Sequence, residues 1–237
     1  MLNRSRWILL GIFYSFIFLF IASISLVLSA QQLLLQSDLN LVKRVELVYG
    51  IRAAKRVRSW RTMVMEHQDN ILKETEKLKL VNSFFNRMYF IDDIKLWQRK
   101  DYWSTPTEFL GAAGGDCEDF SIAKYYTLLE LGIPDEKIRL VYVKALNYNI
   151  FHMVVAYYET PSAIPVILDN LMTDIRLATA RKDLVPIYSF NGSHLWLMKA
   201  RAQGEMVGEA TRLGLWNDVR NRITSERLAQ PIIKLDD

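Results

Sequence analysis

A glycine-rich loop followed at once by an apolar helical pattern is the feature that most constrains the fold of this chain. The pattern predicts a helix from Glu118 to Leu131 that ends at Gly132 and Pro134, and the loop before it contains Gly111, Gly114 and Gly115. Glycine permits positive φ angles and a close backbone approach before a helix. The sequence therefore predicts a tight loop-to-helix junction, with Cys117 at the helix N-terminus.

Cys117 is the only cysteine of the 237 residues and a candidate nucleophile. Free amide groups and the positive end of the helix dipole favour the thiolate at this position. The alternative is a small buried hydrophobic side chain, which is the common role of a free cysteine. Three adjacent carboxylates, Asp116, Glu118 and Asp119, would make that burial costly, which favours the nucleophile.

His152 is the candidate base for this thiol. It lies near the start of a predicted strand from Phe151 to Tyr158, and Pro165 to Asp169 predicts the next strand. An antiparallel hairpin centred near Thr160 would place Asp169 or one of its neighbours opposite His152, so that Asp169 could hold one ring nitrogen while the other faces Cys117. Asp169 is equally compatible with a cap or turn at the strand end.

The two other histidines have structural explanations. His67 lies in a polar helical stretch, which indicates a solvated side chain. His194 follows Asn191-Gly192, a dipeptide that favours a type I′ turn between the predicted strands Val185 to Phe190 and Leu195 to Ala200.

These motifs, taken in order, resemble the bacterial transglutaminase-like cysteine proteases, and within them the LapG-type periplasmic proteases. The resemblance covers roughly residues 80 to 200. It rests on Asp101 to Leu110, Gly115 to Phe120 with Ala123-Lys124-Tyr125, Tyr142 to Leu146 leading to His152-Met153-Val154, and Val166 to Leu171. It implies Cys117 as nucleophile, His152 as general base and acid, and Asp169 as the orienting carboxylate. Oxyanion stabilisation would come from the Cys117 amide and one upstream donor, for which Trp103 is the candidate.

The acidic neighbours of Cys117 pose an electrostatic problem, because like charge raises the pKa of a forming thiolate. Spacing alone leaves two interpretations open, a solvated acidic turn or a cation site. Oxygen ligands suit calcium, whereas zinc is disfavoured because no Cys or His pair stands at metal-ligand spacing. The resemblance implies calcium (Ca2+) bound through Asp116 and Glu118, with Asp119 as an additional ligand.

The N-terminus indicates a membrane and a compartment. Arg4 and Arg6 precede an apolar run over residues 7–28, long enough to cross a hydrocarbon core of about 30 Å. Positive charge before this run orients the rest of the chain to the far side of the membrane, which in a bacterium is the periplasm. The segment is either a signal anchor in the inner membrane or a signal peptide with a poor cleavage site.

The fold class predicted is α+β with a papain-like, transglutaminase-like core, in which the cysteine helix packs on an antiparallel sheet. Residues 1–30 would be the signal segment, 31–100 an N-terminal helical region and 101–237 the protease core with a C-terminal helix from about Glu209 to Leu228; 31–237 would form one globular unit. A net charge of +4 and a basic run (Arg52, Lys55, Arg56, Arg58, Arg61) could suggest nucleic acid, but a segment beyond the membrane meets none. A solvated helix face is the favoured explanation, with anionic lipid or an acidic partner second.

The resemblance also implies a biological role. The substrate would be the N-terminal region of a large surface adhesin, cut at a pair of alanines, and its release would disperse a biofilm. A LapD-type inner-membrane receptor that senses cyclic di-GMP would sequester the protease. The alternatives are a transglutaminase-like acyl transferase, a cell-wall peptidase, or an inactive binding module of the same fold.

Overall fold

The computed structural model describes residues 36–68, 72–198 and 204–235. The chain divides into two compact units, Met1–Arg44 and Val45–Asp237. In the first unit, residues 36–44 are helical, and the predicted membrane segment 7–28 lies outside the described residues. None of the helices within the described ranges is both long and apolar enough to span a membrane.

The described residues of the second unit form helices and two sheets. The helices are α1 (36–49), which begins in the first unit, α2 (Ile51–His67), α3 (Glu74–Phe85), α4 (Asp93–Leu96), α5 (Pro106–Ala112), α6 (Cys117–Glu130) and α7 (Gly214–Ser225). The strands are β1 (Tyr89–Phe90), β2 (Gly114–Gly115), β3 (Ile138–Ala145), β4 (Ile150–Tyr157), β5 (Val166–Leu168), β6 (Arg176–Leu177), β7 (Leu184–Phe190), β8 (His194–Met198) and β9 (Gly204–Glu209). Within the described residues, α6 is the helix that packs on β3 and β4.

The larger sheet has seven strands in the order β6-β5-β4-β3-β7-β8-β9, and every neighbouring pair is antiparallel. β4 pairs with β3 along its whole length, but with β5 only from Val155 to Tyr157. The hydrogen-bonding edge of β4 near His152 is therefore not used by β5. α6 occupies this edge, because the Ser121 hydroxyl donates to the Met153 carbonyl at 2.9 Å.

The junction before α6 uses its glycines for close approach rather than for positive φ. The left-handed residue is Ala113, with φ 67°, whereas Gly114 and Gly115 do not adopt positive φ. A Cβ atom on Gly114 would lie 2.2 Å from the Tyr89 carbonyl oxygen, and one on Gly115 would lie 2.0 Å from the Asp119 carboxylate. The predicted tight approach is thus present, but the expectation of positive φ at these glycines was wrong.

Local signals set both ends of α6. At the start, the Asp116 amide donates to the Asp119 carboxylate at 3.2 Å, as in a capping box. At the end, Gly132 adopts φ 83°, and the amides of Gly132 and Ile133 donate to the carbonyls of Leu129 and Leu128. The helix begins one residue earlier than predicted, so Cys117 is its first residue.

Three details near the C-terminal half differ from the sequence predictions. Asn191 and Gly192 do not adopt the positive φ of a type I′ turn. Instead, a three-residue connection joins the two strands, and the Asn191 side-chain oxygen accepts hydrogen bonds from the backbone amides of Ser193 and His194. The predicted last helix is shorter, Gly214–Ser225, and Gly204–Glu209 forms strand β9. β9 is an exposed strand beside β8, and its sequence lacks the alternation that marks a half-buried strand.

The basic run on α2 is only partly a solvated face. The Arg56 guanidinium donates to the carbonyls of Leu110 and Gly111 at 2.7 and 3.0 Å, where α5 ends. Arg61 pairs with Glu130 at the end of α6. Two of the five basic residues therefore hold α2 against the helices next to the site.

Candidate active site

Cys117 is half-buried at the first position of α6, directly against β4. Its thiol donates to Glu118 Oε2 at 3.0 Å, and its sulfur accepts a hydrogen bond from the backbone amide of Met153. Since Met153 follows His152, the contacts of Cys117 and of Ser121 bring the helix N-terminus to the strand residue predicted as the base.

His152 is buried and paired with Asp169 across 2.7 Å, from Nε2 to Oδ1. The register places Val155 opposite Leu168, so Asp169 stands just beyond the end of β5, diagonal to His152 rather than directly opposite. With Nε2 held by the carboxylate, Nδ1 is the ring nitrogen left for the thiol. The structure thus pairs His152 with Asp169 and places Cys117 against Met153, the residue after His152.

Asp169 has two further donors besides His152. The Leu171 amide donates to Oδ1 at 3.0 Å, and Arg181 donates to Oδ2 at 2.7 Å. Burial alone would raise the pKa of Asp169, but these hydrogen bonds and the His152 and Arg181 contacts lower it to about 2. The carboxylate is therefore ionised at neutral pH. No local motif in the sequence indicated Arg181.

The acidic residues around Cys117 are joined by two that the sequence analysis missed, Asp93 and Asp101. Ligand atoms lie within 4.8 Å of one another in three overlapping groups: Asp93 with Asp116 and Asp119, Asp93 with Asp101 and Glu118, and Asp116 with Cys117 and Glu118. Asp93 begins α4 and Asp101 lies in the loop after it. Both acidic residues were visible in the sequence, but their approach to α6 depends on the fold.

The electrostatics of this cluster oppose a free thiolate. Burial, followed by the charge of Glu118 and Asp116, raises the pKa of the Cys117 thiol. Burial, together with Asp119 and Glu118, also raises the pKa of Asp116. Burial, with contributions from Glu118 and Asp101, raises the pKa of Asp93 to about 7. Without a counter-charge, the cluster therefore keeps the nucleophile protonated.

The residues fit a hard divalent cation. Asp93 Oδ1 and Asp116 Oδ1 are buried oxygen atoms without a hydrogen-bond partner, and carboxylates from two chain segments converge on the same place. Asp119 differs from the other carboxylates, because its two oxygens accept hydrogen bonds from the backbone amides of Ser104 and Asp116 at 2.7 and 3.2 Å. Asp119 thus shapes the loop that carries the other carboxylates.

Trp103, the predicted second oxyanion donor, lies in the loop between α4 and α5. Its ring is buried and stacked on Phe190, with centroids 5.8 Å apart. The Asp101 carboxylate accepts a hydrogen bond from the Trp103 side chain, and the Trp103 carbonyl accepts one from Arg222. The oxyanion role of Trp103 stays a prediction.

A family model described as bacterial transglutaminase-like cysteine proteinase, BTLCP, matches residues 53–201, which include the whole site. The chain belongs to this family. The predicted α+β transglutaminase-like fold is confirmed by this match and by solved relatives. As a member of BTLCP, the chain is assigned to the cysteine proteinases.

Solved structures of Legionella pneumophila LapG are similar to this BTLCP chain. The EGTA-treated form is 36% identical, with a TM-score of 0.68, and the match covers 78% of this chain and 97% of LapG. A second form gives the same values. The calcium-bound form is 37% identical, with a TM-score of 0.67 and coverage of 78% and 98%. No curated protein matches the chain.

Proposed function

We propose that this chain is a calcium-dependent cysteine endopeptidase of the LapG type. The observation that carries the proposal is the position of Cys117 at the start of α6: it lies within the carboxylate cluster and contacts Met153, whose neighbour His152 is paired with Asp169. A solved relative at 37% identity is calcium-bound. Membership of the cysteine proteinase family supports proteolysis over a binding role.

The reaction would run through a thioester. His152 Nδ1 takes the proton of the Cys117 thiol, and the sulfur attacks a peptide carbonyl to form a C–S bond. The C–N bond then breaks, and His152 returns the proton to the leaving amine. Water, deprotonated by the same imidazole, cleaves the thioester and frees Cys117. Throughout these steps Asp169 holds the imidazole by Nε2 and stabilises its protonated form.

The α6 N-terminus would stabilise the oxyanion of the tetrahedral intermediate. The Cys117 amide, as the first of the helix, has no partner earlier in the helix. The prediction adds Trp103 as the second donor. Its side chain is engaged with Asp101, so a rearrangement of Asp101 would accompany that role.

Calcium would be held by Asp116, Glu118, Asp93 and Asp101, with Asp119 adjoining them. When bound, it supplies positive charge that offsets the carboxylates and lowers the pKa of the nearby thiol. Glu118 is the residue that would couple calcium binding to the reactivity of Cys117, because its carboxylate accepts a hydrogen bond from the Cys117 thiol. If the metal engages Glu118, the thiol is released toward His152.

The proposed substrate is the N-terminal region of a large surface adhesin, cleaved at a pair of alanines, so that the adhesin is released and a biofilm disperses. The proposed compartment is the periplasm, with residues 7–28 as an inner-membrane anchor or a removed signal peptide. A LapD-type cyclic di-GMP receptor is the proposed regulatory partner. The similarity to LapG supports the proposed substrate and partner, and the apolar N-terminal run supports the proposed compartment.

The test is cleavage of an adhesin N-terminal fragment by the full chain and by Cys117→Ala, each with calcium, magnesium or chelator. We expect cleavage only by the unmodified chain and only with calcium. An added amine separates hydrolysis from acyl transfer, since a transferase would give the amine adduct. Cleavage that persists in chelator would contradict the calcium proposal, and cleavage by Cys117→Ala would contradict the nucleophile.

A further inference from the structure

Arg181 lies behind the carboxylate that holds His152. Its Nη2 donates to Asp169 Oδ2 at 2.7 Å, whereas His152 bonds to the other oxygen, Oδ1. The two side chains are almost fully inaccessible, with exposed fractions of 3% for Arg181 and 0% for Asp169. A buried ion pair of this kind is costly to form, and removal of one partner leaves an uncompensated buried charge.

Asp183 fixes the direction of this guanidinium. Arg181 Nε donates to Asp183 Oδ1 at 3.0 Å, and Nη2 donates to Asp183 Oδ2 at 2.8 Å. A planar guanidinium held at two points by one carboxylate cannot turn independently. The Nη2 that Asp183 holds is the same atom that reaches Asp169.

The Asp169 carboxylate is consequently held at both oxygens. Oδ1 accepts from His152 and from the Leu171 amide, and Oδ2 accepts from Arg181. Rotation about the Cβ–Cγ bond would break all three hydrogen bonds. This restraint keeps Oδ1 directed at the imidazole.

Three titratable or charged groups act on Asp169 from different parts of the fold, and the Asn86 amide after α3 adds an uncharged contact to its carbonyl. His152 comes from β4, Arg181 from the segment before β7, and Lys124 from α6 attracts it at longer range. Asp183 partly offsets the charge of Arg181. Lys124 is buried, and burial lowers its pKa to about 7 despite the attraction of Asp169, so Arg181 is the group in contact that stays positive throughout the working pH range.

We propose that Arg181 is a positioning residue of this site: it keeps the Oδ1 atom of Asp169 directed at His152, and Asp183 in turn holds Arg181. The inference rests on the proposed function, because it assigns His152 and Asp169 to the chemistry at Cys117. Arg181 itself touches neither Cys117 nor the carboxylate cluster in the contacts described above.

The experiment compares Arg181→Gln, Arg181→Lys and Asp183→Asn with the unmodified full chain in saturating calcium. We expect Arg181→Gln to lower kcat by roughly 10- to 100-fold, as the loss of an outer hydrogen-bond partner commonly does, with KM within about twofold. The acidic limb of the kcat/KM profile should move upward by about one pH unit, because the His152–Asp169 pair holds its proton more tightly once the neighbouring cation is gone.

The conservative variant separates charge from geometry. Arg181→Lys keeps the positive charge, so the acidic limb should return to its original position. An ammonium cannot reproduce the planar fork that joins Asp169 to Asp183, so kcat should recover only in part. Asp183→Asn should give a smaller loss of kcat than Arg181→Gln. Arg61→Gln is the matched control, since it breaks an Arg–carboxylate pair at the far end of α6 and should leave both kcat and the pH profile unchanged.

A folded Arg181→Gln protein with unchanged kcat and pH profile would overturn the proposal. Thermal unfolding shows whether each variant is folded. If Arg181→Gln does not fold, a kcat equal to that of the unmodified chain in both Arg181→Lys and Asp183→Asn would overturn the proposal instead. Alkylation of the single thiol by iodoacetamide, followed against pH, needs no peptide substrate. If the unmodified chain cuts no adhesin fragment, the proposed substrate fails, whereas the Arg181 proposal is then overturned if a folded Arg181→Gln protein is alkylated at the same rate as the unmodified chain.

Discussion

Glu118→Gln tests the electrostatic coupling between the carboxylate cluster and the nucleophile. Glu118 Oε2 lies 3.0 Å from Cys117 Sγ and accepts a hydrogen bond from the thiol. Both this hydrogen bond and the negative charge of Glu118 raise the pKa of the thiol, after the larger effect of burial. Removing the charge should therefore lower the pKa of Cys117 and raise its reactivity at neutral pH.

The size of the effect follows from the distance. Two unit charges 3.0 Å apart interact with about 1.4 kcal/mol at the dielectric constant of water and about 5.5 kcal/mol at an effective value of 20. Since about 1.4 kcal/mol corresponds to one pKa unit, the pKa of the thiol should fall by at least about one unit. Because the pKa lies above neutrality, the thiolate fraction at pH 7 should then rise at least about tenfold.

The assay is alkylation by iodoacetamide in chelator, which reports on Cys117 alone because the chain has no other cysteine. The rate measured against pH gives the midpoint for the unmodified chain and for Glu118→Gln. Glu130→Gln, at the other end of the same helix, is the matched control and should react like the unmodified chain.

Calcium should also lower the pKa of the Cys117 thiol in the unmodified chain. It should lower that pKa less in Glu118→Gln, because calcium and the substitution both act by removing the effect of the Glu118 charge. An alkylation midpoint that Glu118→Gln does not move, in a protein that is still folded, would refute the coupling. It would leave burial and the charge of Asp116 as the causes of the raised pKa of the Cys117 thiol.

Three further substitutions test the site and the packing around it. Asp169→Asn keeps the shape of the side chain but removes the charge that stabilises protonated His152, so kcat in steady-state cleavage should fall by roughly 10²- to 10⁴-fold, and an unchanged kcat would exclude Asp169 from the chemistry. Gly114→Ala should destabilise the fold by about 1–3 kcal/mol in denaturant unfolding, because its Cβ would meet the Tyr89 carbonyl at 2.2 Å, and a neutral result would show that this junction can relax. Phe109→Ala should cost about 3–5 kcal/mol in the same measurement, since Phe109 is fully buried, and a loss below about 1 kcal/mol would contradict its place in the core.

Part of this site could be predicted from local sequence. Gly132 and the residues at the start of α6 mark the helix ends through hydrogen bonds within a few residues. The β-branched and aromatic run that contains His152 indicates a strand, and the break near Thr160 indicates the return of the chain. Short-range capping and side-chain alternation depend on neighbours in the chain, so these features needed no tertiary information.

The residues that complete the site could not be predicted in this way. Asp93 and Asp101 reach the cluster only because α4 and its loop pack against the start of α6. β9 became a strand through pairing with β8 rather than through its own alternation. Where a contact joins distant segments, the packing of the whole domain decides it.

The sequence by itself determined a cysteine at the start of a helix, a histidine on a strand, and the acidic residues that surround the thiol. Only the tertiary structure decided which distant charges meet: Asp93 and Asp101 with the cluster at Cys117, and Arg181 with Asp169. The physical reason is that the pKa of a buried group depends on the charges a few ångströms away in space, and those neighbours are set by packing rather than by order along the chain.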